Sequence, residues 1–206
     1  MTPREFIDFL HLAERLKDNT RHSTTSQGRP ESVAEHSWRV ALMAMLLSGE
    51  AEGVDLNKVL RMCVIHDLGE AITGDIPSFW KTEADTARED KEVFALAESL
   101  PEPVRSEWKA LFAEMIEMKT PEARVYKALD KMEAVLQHNE APLSTWIPLE
   151  YELNQTYGME EAKASIPFLE AVRHLAVTDT KEKLEKELTQ QIGEKRRCNK
   201  KWFVHE

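Results

Sequence analysis

"CVIHDLGEAITGDIP", residues 63–77, sets His66, Asp67, Glu70 and Asp75 among Val64, Ile65, Leu68 and Ile72. A stretch this apolar reads as buried, and a buried charge is costly unless it is paired, hydrogen-bonded or bound to a metal. Val59, Met62, Cys63, His66 and Glu70 share one side of a helix expected over about Leu56 to Ile72. Neighbouring helical residues project about 100° apart, so His66 and Asp67 satisfy each other poorly, yet both can reach one point beyond the helix surface. Glu70 follows one turn along the same face.

Upstream, Ser32 with Glu35 three residues on forms a helix start, and Val33, His36, Val40, Met43 and Leu47 make one stripe at helical spacing. His36 sits inside that stripe. Further upstream, Thr2-Pro3-Arg4-Glu5 marks the start of a first helix, and "DNTRHSTTSQGRPES", residues 18–32, reads as a long polar loop of the kind that carries function. Downstream, "TGDIPS" is a turn. Helices are expected at about 82–99 and 102–119, the latter with Trp108, Leu111, Phe112 and Met115 inward. Another opens at Pro121, with Val125, Leu129, Met132 and Leu136 as its stripe. Asp130 lies off that stripe, between Tyr126 and Glu133. A short helix near 149–157, one or two helices over 159–176 with Pro167 inside, and a charged helix from Thr180 with a seam of Leu184, Leu188 and Ile192 complete the chain.

The composition agrees with an all-α fold. Only 7 of 206 residues are Gly, 42% are hydrophobic, and the residues that lose least on entering a helix recur throughout. The expected organisation is a single helical domain over 1–195 and a basic, mobile tail over 196–206. A net charge of -10 argues against a nucleic acid held on a broad basic surface and leaves room for a small anion in a locally basic pocket. No run reaches the roughly 18 apolar residues of a membrane span. "MTPREFIDFL" lacks the layout of a signal peptide, and Cys63 reads as a buried thiol rather than half of a disulfide with Cys198. A soluble, cytoplasmic protein with no membrane partner is expected. The thin seam near Leu184 calls for a second copy, hence a homodimer.

An imidazole and a carboxylate converging on one point make a divalent-metal site of mixed nitrogen and oxygen type. His36 can add a third ligand, and Glu70 can take a proton from a water held there. Spacing alone leaves the alternative of a hydrogen-bonded core histidine open and does not identify a fourth ligand.

Three separated segments, "ESVAEHSWRVALMA" (31–44), "VIHDLGEAITGDIP" (64–77) and "VYKALDKMEAVLQ" (125–137), together resemble the His…His-Asp…Asp pattern of the HD-domain metal-dependent phosphohydrolases. The resemblance is nearest to their 5'-deoxynucleotidase branch and spans about residues 6–140. It implies an HD-type helical bundle in which His36, His66, Asp67 and Asp130 bind one divalent ion, of Co, Mn, Zn, Ni or Fe. It also implies that Glu70 activates the attacking water, that Asp75 stands near the sugar and leaving oxygen, and that Arg21 holds the phosphate of a nucleoside monophosphate. Where some bacterial relatives follow this arginine with Trp, the chain has His22, a candidate contact to the sugar. Arg29 and Lys81 are further candidates for the anionic end, and Glu35 for orienting His36, whereas Glu133 reads as a surface or salt-bridge acid. The alternatives are an HD phosphohydrolase acting on a nucleoside triphosphate or cyclic nucleotide, and a non-catalytic nucleotide-binding scaffold.

Overall fold

The computed structural model describes residues 1–202, the side chains of 188 and 190–202 excepted. Its helices are α1 (Pro3–Ala13), α2 (Val33–Leu46), α3 (Leu56–Ile65), α4 (Glu70–Thr73), α5 (Glu83–Glu98), α6 (Val104–Glu117), α7 (Pro121–Glu140), α8 (Glu150–Thr156), α9 (Met159–Lys163) and α10 (Pro167–Trp202). The starts follow local chemistry. Thr2, Ser32 and Thr82 each cap a helix reciprocally with the acid three residues on, and Asp55 and Thr120 cap α3 and α7.

The central helix is α7, which packs against α2, α3, α6, α9 and α10. Val33 and Val40 from α2, Val59, Met62 and Cys63 from α3, and Val125 and Leu129 from α7 meet in the core with almost no exposure. Each such aliphatic side chain stabilises the fold by about 1.5–3 kcal/mol through burial. The expected helical class holds, and Cys63 is the buried thiol the pattern implied.

Four expectations change. The polar segment 18–32 contains an antiparallel hairpin, β1 (Thr20–Thr24) with β2 (Pro30–Ser32), turned near Gly28 at φ 79°. The helix expected through Ile72 breaks at residues 66–69, where backbone bonds run from Leu68 to Ile65 and from Glu70 to Asp67 in three-residue steps. Pro167 opens α10 instead of lying inside a helix, as its missing N–H favours. The charged helix expected from Thr180 is the continuation of α10, which stays helical to Trp202, into the segment read as a tail. The side chains of Leu188 and Ile192, and residues 203–206, lie outside the described residues.

The break at 66–69 is held against α5 by close approach. A Cβ on Gly69 comes 2.9 Å from Val93 Cγ1 and 3.4 Å from the Glu89 carbonyl oxygen. Val93 is buried, so it has little room to give. Gly69→Ala is expected to destabilise by about 1–3 kcal/mol through overpacking, read as a lowered Tm in calorimetry. An unchanged Tm means that Val93 rotates aside freely and the contact does not constrain the turn.

Candidate metal centre and active site

Four side chains from three parts of the fold converge. His36 stands on the second turn of α2, fully buried, its Nδ1–H donating to Glu133 Oε2 at 2.5 Å. His66 follows the last residue of α3, its Nδ1–H donating to the Cys63 carbonyl at 2.8 Å. With both Nδ1 atoms committed as donors, both Nε2 atoms are the ones left for a metal, which takes the lone pair there by displacing any proton. The two Nε2 atoms face one another at 3.3 Å. Asp67 Oδ2 lies 3.1 Å from His66 Nε2 and 3.8 Å from His36 Nε2, while Asp130 Oδ1, from α7, lies 3.2 Å from His36 Nε2 and 3.7 Å from His66 Nε2.

Two lone-pair nitrogens and two carboxylate oxygens aimed at one another repel unless a cation stands among them. Bonds of about 2.1 Å to one ion put neighbouring ligand atoms about 3.0 Å apart in an octahedron and about 3.4 Å apart in a tetrahedron. The observed separations fall close to that range. The donor set therefore fits a divalent ion of the type that accepts imidazole and carboxylate together. His36, His66 and Asp67 alone bring one ligand atom each to within 4.8 Å of the other two.

The electrostatics point the same way. Burial pushes the Asp67 carboxyl up, but His66 and His36 hold it well below the usual carboxylate range. Burial opposes ionisation of Asp130 too, and Lys127 and His36 overcome it. Lys127 Nζ donates to Asp130 Oδ2 at 2.7 Å, leaving Oδ1 for the centre. Burial and Arg21 pull the His36 imidazolium down, and its bonds to Asp130 and Glu133 lift it to about 9. A field that favours a proton at Nε2 favours a metal cation there, and metal binding displaces the proton.

Beside this cluster opens a pocket of about 510 Å³, lined at this end by Arg21, Asp67, Glu70, Asp75, Lys127 and Asp130. Arg21, on β1, lies 3.6 Å from Asp67 Oδ2 and 3.3 Å from the buried Glu31. Glu70 is buried, and its Oε2 has no hydrogen-bond partner among the described residues. Burial first, then Asp67 and Asp75, push its carboxyl up to about 10. Burial likewise raises Asp75, although Arg21 opposes the shift.

All eight principal candidates are thus at one site: His36, His66, Asp67 and Asp130 at the metal centre, and Arg21, His22, Glu70 and Asp75 on the pocket wall. His22 stands 3.1 Å from Glu150 and packs edge-on against Phe79 and Trp80. Lys81 lines the pocket while bridging Glu89. Two secondary candidates fall elsewhere, and one residue not counted among them stands at the site. Arg29 is exposed and pairs with Glu35 at 2.7 Å, so neither serves the site, and Glu35 spends its carboxylate on the Ser32 cap. Of the two readings of Glu133 the salt-bridge one holds: it is fully buried, holds His36 and lies 3.7 Å from Arg39. Its spacing of three from Asp130 was the available signal, since that spacing shares a helix face. Glu31, behind Arg21, had no comparable signal in the sequence.

The HD domain family matches residues 13–172. The 5'-deoxynucleotidase HDDC2 of Homo sapiens is 33% identical over 141 residues, 66% of this chain and 68% of its own length. The Dictyostelium discoideum protein of the same name is 30% identical over 145 residues, 66% of this chain and 76% of its own. Among solved structures, a "predicted metal-dependent phosphohydrolase" of Magnetospirillum magnetotacticum MS-1 superposes with a TM-score of 0.76 at 29% identity, covering 87% of this chain and 93% of that one. With the family matched across most of its length and its two histidines and two aspartates drawn to one point, this chain belongs to the HD domain family.

Proposed function

We propose that the protein is a metal-dependent 5'-deoxynucleotidase, hydrolysing nucleoside 5'-monophosphates to nucleoside and inorganic phosphate. The observation that carries the reading is the convergence of four metal-ligand atoms beside a pocket holding Arg21 and an unpartnered, buried Glu70. The names of the human and Dictyostelium relatives support the substrate class.

His36, His66, Asp67 and Asp130 would hold a divalent ion, which would supply Lewis acidity to a water and offset phosphate charge. Arg21 grips phosphoryl oxygens with its planar fork and fixes the phosphorus for in-line attack. Glu70 accepts the water proton as the ionised carboxylate, since a cation at the neighbouring ligands would offset the burial and negative charge that keep its carboxyl protonated in the metal-free protein. As the new O–P bond forms and the bond to the 5' oxygen breaks, Asp75 hands its proton to the leaving oxygen. Lys81, Lys127 and Lys131 are already paired with Glu89, Asp130 and Glu161, which leaves less positive charge than a triphosphate needs and favours a monophosphate. His22, backed by Phe79 and Trp80, gives an aromatic wall beside Arg21 where some relatives carry Trp, and the preference for deoxyribose is supported by the relatives' names alone.

The proposal extends to one ion per chain, a cytoplasmic location and a homodimer. Among the described residues no helix is long and apolar enough to cross a membrane. The exposed apolar stripe of Trp38, Leu42, Met45 and Leu46 on α2 supports pairing with a second copy, since one self-complementary patch serves both partners of a two-fold dimer.

The test is phosphate release from matched deoxyribo- and ribonucleoside 5'-monophosphates with added Mn or Co, against His66→Ala. Deoxy-selective release that the variant loses is the expected result. Equal release from both sugars overturns the sugar preference alone. Release from neither removes the nucleotidase reading and turns attention to triphosphate and cyclic substrates.

A further inference from the structure

The pocket continues well past the phosphate end. Lys127, Asp130, Lys131, Ala134, Val135 and His138 all line it, so α7 forms its floor, and the eight residue steps from Asp130 to His138 span about 12 Å at 1.5 Å each. At the far end the wall passes to Glu150, Leu153 and Asn154 of α8 and to Tyr157. The role of this end rests on the nucleotidase reading, under which it takes the nucleoside.

Most polar groups at that end are already spoken for. Glu150 accepts from His138 Nε2 at 2.7 Å and from the Ile147 N–H at 2.7 Å. His138 Nδ1 is bonded to the Ala134 carbonyl. The Lys131 ammonium lies over the Tyr157 ring at 4.9 Å. Asn154 differs. It is 5% exposed, and its Nδ2 donates to both Asn139 Oδ1 and Thr180 Oγ1, each at 3.0 Å. Asn139 Nδ2 is tied in turn to the Ala176 carbonyl, and Thr180 is fully buried. Both amide hydrogens of Asn154 are therefore consumed by groups on α7 and α10, which fixes the flip of the amide. No donor among the described residues reaches its Oδ1. Arg173, fully buried on α10, pins the same turn by donating to the Asn154 and Tyr157 carbonyls at 2.9 Å.

A buried network of this kind is costly to assemble, and it rigidifies what it holds. Here it holds Asn154, a lining residue of a cavity otherwise floored by Ala134 and Val135 and flanked by Leu153, with Oδ1 the one amide atom that no described residue engages. We infer that Asn154 is a specificity-determining residue of the nucleobase end, accepting a hydrogen bond through Oδ1 from an exocyclic amine, so that amine-bearing bases are favoured over thymine. A lone acceptor suits an amine, which offers hydrogens without a flanking carbonyl on each side. The single imide N–H of thymine lies between two carbonyl oxygens that repel the amide oxygen.

The experiment measures KM and kcat of the metal-loaded wild type, Asn154→Leu and Thr180→Val on dAMP, dCMP, dTMP and baseless deoxyribose 5-phosphate, with Tm recorded for each protein. Asn154→Leu is expected to raise KM for dAMP and dCMP about tenfold, the scale of one lost hydrogen bond. It should leave kcat, dTMP and the baseless substrate unchanged. Thr180→Val, which frees the amide without entering the cavity, should weaken the same discrimination by a smaller factor. Equal losses on all four substrates assign Asn154 a purely structural role and overturn the inference, as does unchanged KM for dAMP and dCMP. If Asn154→Leu fails to fold, Thr180→Val decides alone: undiminished preference for the amine-bearing bases overturns it. No phosphate release by the wild type from any of the four removes the nucleotidase reading instead, a result distinct from the others.

Discussion

Glu70→Gln is expected to lower turnover by about 10²–10⁴-fold, the usual worth of a positioned general base, while the protein keeps its full complement of metal. The two readouts separate because Glu70 is not among the four converging ligands, so the amide leaves the metal centre intact while losing the ability to take a proton. The same change has an opposite consequence for stability. In the metal-free protein, burial together with Asp67 and Asp75 holds the Glu70 carboxyl near 10, far above the ordinary carboxylate value of 4.5. The unfolded chain therefore releases this proton at lower pH than the folded one. Stability contributed by the neutral carboxyl is full below about pH 4.5 and declines as pH rises from there towards 10. Glutamine carries no such proton, so metal-free Glu70→Gln should melt higher than metal-free wild type, by a gap that widens from pH 6 to pH 9. A functional site that holds destabilising charge is expected to behave in this way. Near wild-type turnover in the variant removes Glu70 as the base. A lower Tm across the whole pH range removes the claim that its charge is held at a cost.

Much of the site was legible in the sequence because ionisable groups on apolar stripes are conspicuous. His36 interrupts a stripe of Val33, Val40 and Leu47, and His66 and Asp67 interrupt one of Val59, Met62 and Cys63; the structure buries both stripes and brings the interruptions together. Helix starts were legible for a similar reason, since Thr2 and Ser32 satisfy orphan N–H groups by local bonds that spacing reveals. What stayed hidden depends on tertiary contact. The hairpin around Gly28 has short strands without apolar alternation, so nothing in residues 18–32 separates strand from loop. Helical periodicity carries through residues 66–69, yet the backbone tightens there, and the break re-aims Asp67 and Glu70 into the pocket. Glu31 and Glu133 look like any of the chain's many acids until the fold places Arg21 against one and His36 against the other. The two-stranded segment matters most among these, because it carries Arg21 and His22 on one strand to the mouth of a pocket whose floor is more than a hundred residues away.

Glu133 offers the second large effect, and it acts at a distance from substrate. Its carboxylate takes the His36 Nδ1–H at 2.5 Å, which fixes the tautomer that leaves Nε2 free for metal. Glu133→Ala removes that acceptor from a site with no access to water, leaving a buried N–H unsatisfied and the imidazole free to rotate or to move its proton to Nε2. Metal affinity should fall about 10–100-fold, the range seen when the partner of a ligating histidine is lost. Folding stability should fall by about 1–3 kcal/mol for the orphaned donor. Glu133→Gln tests which property matters. Its amide oxygen can still accept from Nδ1, so the tautomer survives, but the negative charge that strengthens the imidazole as a ligand is gone, and Arg39, 3.7 Å from the Glu133 carboxylate, loses one of its counter-charges. The expected order of metal affinity by chelator competition is wild type, then Gln, then Ala. At saturating metal both variants should recover most of their turnover with little change in KM, because neither touches phosphate or base. If Glu133→Ala holds metal as tightly as wild type, the His36 tautomer does not depend on Glu133. If turnover stays low at saturating metal, Glu133 serves the chemistry directly, and the buried hydrogen bond to His36 is the wrong explanation for its place in the core.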